Sequence, residues 1–303
     1  MQAQLEAAAF TAGQLDVLNV NDRKQIETLQ RSVPGLQYGS VVSDNGLSII
    51  LKLSTPPFSD ARVRKAVHLA VDRQGLQAAA LFGDGVILPP GMPGDKVGWA
   101  IPQEELLKLP GYRQPKDADV AEAKRLLTEG HPGGIKTSLL YGTNLTLGVR
   151  IAEPLQAQLA KAGIDVTLRP LPIAEARAAE EKGEFEMLLQ NAADHQLNKK
   201  QFDMLYSKGN HYNGIDDQQL DGMLERMTRL PDISARKQAG LEMQRYLLEK
   251  NHIVPSIDPL VFPMWQRWVF DYVFEPDNVN RITRSQGYRL WMDTSQMPAD
   301  RRS

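Results

Sequence analysis

The stretches "YGTNLTLG" (141–148) and "QNAADHQLN" (190–198) concentrate side chains that can hold a small polar molecule. The second carries a carboxylate, Asp194, between an amide, Asn191, and an imidazole, His195. The first carries the phenol of Tyr141 and the amide of Asn144. Acceptors and donors of this kind suit an ammonium or amide group, and bonds that involve a charged partner are the strong ones. Polar loops of the same composition are equally common as plain solvated turns, so the case for a site rests on where the two loops lie.

Catalytic patterns are missing. The chain has no Gly-x-Ser-x-Gly, no His-Glu-x-x-His and no phosphate loop; "GDGVILPPGMPG" (83–94) is glycine-rich but lacks the Lys-Ser/Thr ending and the strand-to-helix setting. With no cysteine, thiolate nucleophiles, disulfides and thiolate metal sites are excluded together. Histidines stand at 68, 131, 195, 211 and 252, none at metal-ligand spacing from another, although His195 and His211 can meet in space. Glu184 and Glu186, two residues apart, are expected as solvated charge on the polar face of a strand. The expectation is a binding protein without enzyme activity, cofactor or metal.

The elements around the two loops set their place. "IKTSLLYG" (135–142) and "IDVTLRPL" (164–171) alternate as strands, and "GVRIAEPLQAQLAKAG" (148–163) between them is a helix stopped by Gly163. This spacing is that of a βαβ unit, which predicts parallel strands with a right-handed crossover. A further helix at 173–183 leads to a third strand, "EFEMLLQN" (184–191), with Phe185, Met187 and Leu189 on one face. Both loops then leave the carboxyl edge of one sheet, where ligands of such sheets bind.

The rest reads as framework. In "STPPFSDARVRKAVHLAVDR" (54–73), Asp60 is a helix cap, and Val63, Ala66, Val67, Ala70 and Val71 form one apolar stripe. Arg62, Arg64 and Lys65 oppose the helix dipole, so at least one needs an acidic partner outside the helix. "DADVAEAKRLLTEG" (117–130) is a helix with Val120, Ala123 and Leu127 on one face and Gly130 as its stop. The arginines 281, 284, 289, 301 and 302 read as a solvated basic tail.

At 303 residues the chain suffices for one large or two ordinary domains. Its net charge of −2 gives no field to recruit nucleic acid or an anionic membrane. No apolar run of about 18 residues is present, and "MQAQLEAAAFTAGQLDVL" lacks the basic and apolar regions of a signal peptide.

Taken in order, several blocks resemble family 5 of the bacterial extracellular solute-binding proteins, receptors of peptide and nickel ABC importers. "PPFSDARVRKAVHLAVDR" looks like that family's most regular internal signature. "FTAGQLDVLNV", "LPGYRQPKDADVAEAKRLLTEG", "RIAEPLQAQLAKAGIDVTLRPL", "EKGEFEMLL" and "NGIDDQQLDGML" with "ISARKQAGLEMQRYLLEKNHIVP" are similar to its other blocks. The resemblance implies an α/β fold: a periplasmic-binding-protein-like type II lobe, with a mixed sheet flanked by helices and no counterpart of the N-terminal lobe. Residues 1–50 would be the inter-lobe crossover, 51–265 the second lobe, and 266–303 a tail returning toward the first. Arg62, Arg64, Asp72 and Arg73 would be scaffold.

For function, the resemblance implies the substrate-binding component, or part of it, of an ABC-type peptide importer. Its partners would be a peptide-like or cationic solute and the membrane permease, with the protein monomeric and, in the parent protein, periplasmic or on the cell surface. The alternative is a truncated, non-transporting relative acting as an interaction or sensory domain. Asp194 falls where family members take a ligand's amino group. Asn191 stands in place of the usual Trp, His195 replaces an aromatic residue, and no Asp-Pro follows. Gly142 and Asn144 lie where dipeptide receptors can bring an Arg.

Overall fold

The computed structural model describes residues 2–43, 46–91, 99–191, 205–207, 213–272 and 291–301. They divide into two units, 45–258 and 1–44 with 259–303.

The main elements of the larger unit are Leu47–Leu51 (β1), Ala61–Ala70 (α1), Arg73–Leu81 (α2), Asp117–Gly130 (α3), Ile135–Gly142 (β2), Thr146–Lys161 (α4), Ile164–Leu171 (β3), Ile173–Glu181 (α5), Met187–Asn191 (β4), Gln218–Arg229 (α6), Ile233–Lys250 (α7) and Ile253–Pro255 (β5). The strands form one mixed sheet in the order β3-β2-β4-β1-β5. As the βαβ spacing predicts, β2 is parallel to β3, with Ile135 opposite Ile164 and Gly142 opposite Leu171. It is also parallel to β4, while β1 runs antiparallel to both β4 and β5.

Period-2 alternation sorts the strand side chains into two cores. Ile49, Leu139, Tyr141, Val166, Met187 and Leu189 pack on one face against α1, α3 and α4. Ile50, Leu140, Leu188 and Ile253 pack on the other with residues of α6 and α7. Among the described residues, helices therefore pack on both faces of the sheet.

The stripe of α1 is buried as expected. Asp60 caps the helix by accepting from the Arg62 N–H at 2.8 Å and also pairs with the Arg62 guanidinium at 2.6 Å. The acidic partner required near this helix start is thus its own cap. Gly130 is the last residue of α3, as expected of its stop, and a Cβ there would sit 2.8 Å from Arg62 Nη2, the end of a long side chain. Gly163, with φ +92°, does end its helix by leaving the right-handed region.

Glu186 corrects the expectation of solvated charge. Its carboxylate accepts from the backbone N–H and hydroxyl of Ser138, each at 2.7 Å, and so ties the start of β4 to β2. Glu184 is exposed.

In the smaller unit Leu260–Trp265 is the central strand, paired antiparallel with Val17–Val20 and Gln37–Tyr38, and also with Val41–Val42. Phe10, Ile26, Leu29 and Phe262 share its core. Arg301 is not a solvated tail residue, because its guanidinium takes both oxygens of Asp16 at 2.9 Å and the Gly13 carbonyl at 2.6 Å. Burial raises the Asp16 carboxyl, but Arg301 and the Trp268 indole N–H outweigh it and hold the group below its ordinary value. Arginines 281, 284, 289 and 302 lie outside the described residues.

Candidate ligand-binding site

Because β2, β3 and β4 run the same way, their carboxyl ends meet at one edge of the sheet. The loop after β2 is short. Tyr141 and Gly142 still belong to the strand and α4 begins at Thr146, leaving only 143–145 between them. The turn is fixed by the Thr143 N–H on the Leu171 carbonyl, 2.9 Å, and the Leu145 N–H on the Gly142 carbonyl, 3.0 Å. On the neighbouring strand Pro172 separates β3 from α5 and its carbonyl accepts the Ala176 N–H at 2.9 Å, so α5 starts at the same edge.

Between these pieces lies a cleft of ≈ 250 Å³. Gly142, Asn144 and Leu145 line one side, Ile173, Ala176, Arg177 and Glu180 of α5 another, and Leu188, Leu189 and Gln190 of β4 the third. Gln190 Nε2 donates to Glu180 Oε1 at 2.8 Å, which joins the end of β4 to α5. A Cβ on Gly142 would lie 2.7 Å from Asn144 Oδ1, so the asparagine amide folds back over the glycine. A second cavity, ≈ 390 Å³, opens by Gly134 and Gly163 at the amino ends of β2 and β3. Ligand-binding crevices of such sheets lie at the carboxyl edge, which favours the first.

Of the residues expected from sequence, Asn144 is exposed and lines the cleft. Tyr141 is 8% exposed and belongs to the core cluster that includes Leu147 and Ile151. Asn191 ends β4, paired with Leu47 across the sheet. Asp194 and His195 lie outside the described residues, beyond the strand whose Gln190 lines the cleft. Arg177, Glu180 and Gln190 were not expected. The available signal was that α5 follows β3 after a single proline, which obliges its first turns to stand at the same edge as the loops.

Some titratable groups elsewhere are engaged in structure. Asp217 caps α6 and takes His252 Nε2 at 2.7 Å and the Tyr246 hydroxyl at 2.8 Å. Burial raises the Asp217 carboxyl, but the Leu220 N–H, His252 and Tyr246 outweigh it and hold it low; burial and this carboxylate push the Tyr246 hydroxyl up to about 12. The arrangement joins α6, α7 and the chain before β5. Among the described residues, no group of three or more His, Cys, Asp or Glu is placed to hold a metal ion, and no helix is long and apolar enough to cross a membrane.

Comparison with known proteins supplies the lineage. The chain is 27% identical to the probable deoxycholate-binding periplasmic protein YgiS of Escherichia coli over 265 residues, 81% of this chain and 45% of that protein. It is 24% identical to di/tripeptide-binding protein 1 of Pseudomonas aeruginosa over 295 residues, 92% of this chain and 52% of that protein. It therefore spans about half the length of the curated relatives it matches. Among solved structures, the ABC transporter substrate-binding protein CtaP of Listeria monocytogenes shares the fold, with a TM-score of 0.76 at 15% identity over 95% of this chain and 58% of that one. Residues 2–213, well over half of the sequence, match the family model described as bacterial extracellular solute-binding proteins, family 5 Middle, and the chain belongs to that family.

Proposed function

We propose that this chain supplies the ligand-holding lobe of the substrate receptor of an ABC importer and binds a peptide-like or amine-bearing solute without chemistry. The observation that carries the reading is the cleft at the carboxyl edge of β2 and β4, lined by the turn after β2, by α5 and by the end of β4. Relatives are named for solutes as different as deoxycholate and di/tripeptides, so the choice of solute rests on residues at this edge. Asp194 accepts the solute's ammonium, Asn144 contributes an amide, Asn191 and His195 flank the acid, and Tyr141 backs the strand end. The permease is the membrane partner, and the receptor works as a monomer in the periplasm or at the cell surface.

A hinged receptor closes two surfaces over its ligand, and one surface alone buries roughly half of that contact. The chain by itself therefore binds weakly. Titration of the labelled chain with alanyl-alanine, followed by backbone amide shifts, tests the reading. Millimolar binding that perturbs the ends of β2 and β4 is the expected result. No perturbation there with any di- or tripeptide overturns it.

A further inference from the structure

The cleft contains a cation that no described residue engages. Arg177 projects from the second turn of α5 and lines the cavity, yet among the described residues no hydrogen bond or ion pair engages its guanidinium. The acid on the same wall, Glu180, is held by Gln190 at 2.8 Å. Other arginines near helix starts in this unit serve the framework. Arg62 pairs with Asp60, Arg64 donates to the Phe58 carbonyl, and Arg73 is buried among carbonyls. Arg177 stands apart from them in being exposed on a concave wall.

We propose that Arg177, with the amide of Asn144 across the cleft, forms a carboxylate subsite that receives the acidic end of the solute. This rests on the reading of the chain as a solute receptor, and adds which end of the solute enters here.

Three features select a carboxylate. The planar guanidinium presents parallel N–H donors that match two carboxylate oxygens, and Asn144 supplies a further donor. Glu180 on the same wall leaves room for one added negative charge and disfavours a dianion such as phosphate. At ≈ 250 Å³ the cleft is smaller than sites that enclose a whole ligand, about 300 to 1,000 Å³. It accommodates one terminus of a solute. The apolar atoms of Ile173, Ala176 and Leu188 lower the local dielectric and strengthen the pairing.

The test uses the full chain and N-acetyl-alanyl-alanine, which keeps the carboxylate but has no amine, with its C-terminal amide and inorganic phosphate as comparators. The acid shifts the backbone amides of Gly142, Asn144 and Gln190; the amide probe does not, and phosphate does so more weakly. Arg177→Gln weakens the response to the acid by roughly 10- to 100-fold, whereas Arg177→Lys keeps part of it. Equal response to acid and amide, no response to the acid, stronger binding of phosphate, or an unchanged response in Arg177→Gln overturns the subsite. Alanyl-alanine separates the two readings. If it binds and Arg177→Gln is indifferent, the receptor reading stands and this one falls. If the acetylated acid binds through Arg177 and the free amine adds nothing, the subsite stands and the ammonium site falls.

Discussion

The guanidinium carbon of Arg73 lies 4.1 Å from the centre of the Tyr112 ring, with both side chains fully buried. Nε of the arginine donates to the Pro255 carbonyl at 2.8 Å and Nη1 to the Gly111 carbonyl at 2.6 Å. The neighbouring acid, Asp119, instead accepts the Gly111 N–H and binds Arg113 and Lys116. A buried cation is thus held by carbonyl dipoles and an aromatic face. The knot fastens the junction of α1 and α2 to β5 and to the turn before α3.

Removing the arginine takes a donor from the Pro255 carbonyl in a dry site and leaves the Gly111 carbonyl only Lys116 Nζ at 3.0 Å. Each lost partner costs about 1 to 3 kcal/mol, and the cavity adds to it. Arg73→Ala should lower unfolding free energy in urea by about 3 kcal/mol or more, with Arg73→Lys recovering only a minor part because one ammonium cannot reach all the acceptors. A loss below about 1 kcal/mol would show that the knot is incidental.

His68 gives this knot a pH dependence. Its Nε2 lies 3.2 Å from the Pro110 carbonyl and its Nδ1 3.2 Å from Arg73 Nη2, which fits a neutral ring donating through Nε2 and accepting at Nδ1. Burial, then the Arg73 charge, depress its pKa well below the ordinary 6.5. The unfolded chain therefore binds more protons than the folded one in the acid range below 6.5, so stability rises with pH and is lost as pH falls from about 7 to about 5. The slope per depressed histidine approaches about 1.4 kcal/mol per pH unit. His252, also depressed chiefly by burial, adds to it. Denaturant unfolding across this range should show the loss, and His68→Gln should flatten the slope whatever it does to stability at neutral pH. An unchanged slope would remove the histidine from the account.

Much of this framework was legible because its signals are local. The stripe of α1, the Asp60 cap and the strand, helix, strand rhythm from 135 to 171 each fix an element without reference to distant residues, and parallel pairing follows from the crossover. Glu186 was misread for the opposite reason. The partner of Glu186 is Ser138, far back in the chain, which periodicity cannot bring beside it. At the site the edge of the sheet was readable, and Asn144 lines its cleft. The α5 wall was not, because a helix pattern shows which face is apolar but not which polar residue overlooks a cavity.

The Glu186 contact makes a separate prediction. Glu186→Ala leaves the Ser138 N–H and hydroxyl without their acceptor at a partly buried position. A cost of about 1 to 3 kcal/mol is expected, with amide exchange at Ser138 accelerated relative to Leu139. Exchange that is unaltered at Ser138 would mean water replaces the carboxylate without loss.

Gly142 probes the cleft without touching a charge. Its added methyl would approach Asn144 Oδ1 to 2.7 Å, and since that oxygen ends a movable, exposed side chain, the amide should swing away while the backbone stays. Gly142→Ala should change thermal stability by less than about 1 kcal/mol and weaken solute binding about as much as Asn144→Ala does. If the glycine variant unfolds the edge instead, the backbone there is tighter than the contacts indicate.

Asp194 is the remaining proposed contact, placed by its position in the sequence just after the strand that lines the cleft. A charge-assisted bond to an ammonium in a partly dry site contributes about 1.5 to 3 kcal/mol, or roughly 10- to 150-fold in affinity. Asp194→Asn keeps the shape and removes the charge, so alanyl-alanine should bind more weakly by that factor while N-acetyl-alanyl-alanine, which has no ammonium, binds unchanged. Thermal stability should be nearly the same in the two proteins. The difference between the probes is what identifies the role: equal weakening of both would place the effect in the shape of the cleft, and a large fall in melting temperature with affinity intact would make Asp194 a structural cap. In either case Asp194 is not the ammonium acceptor.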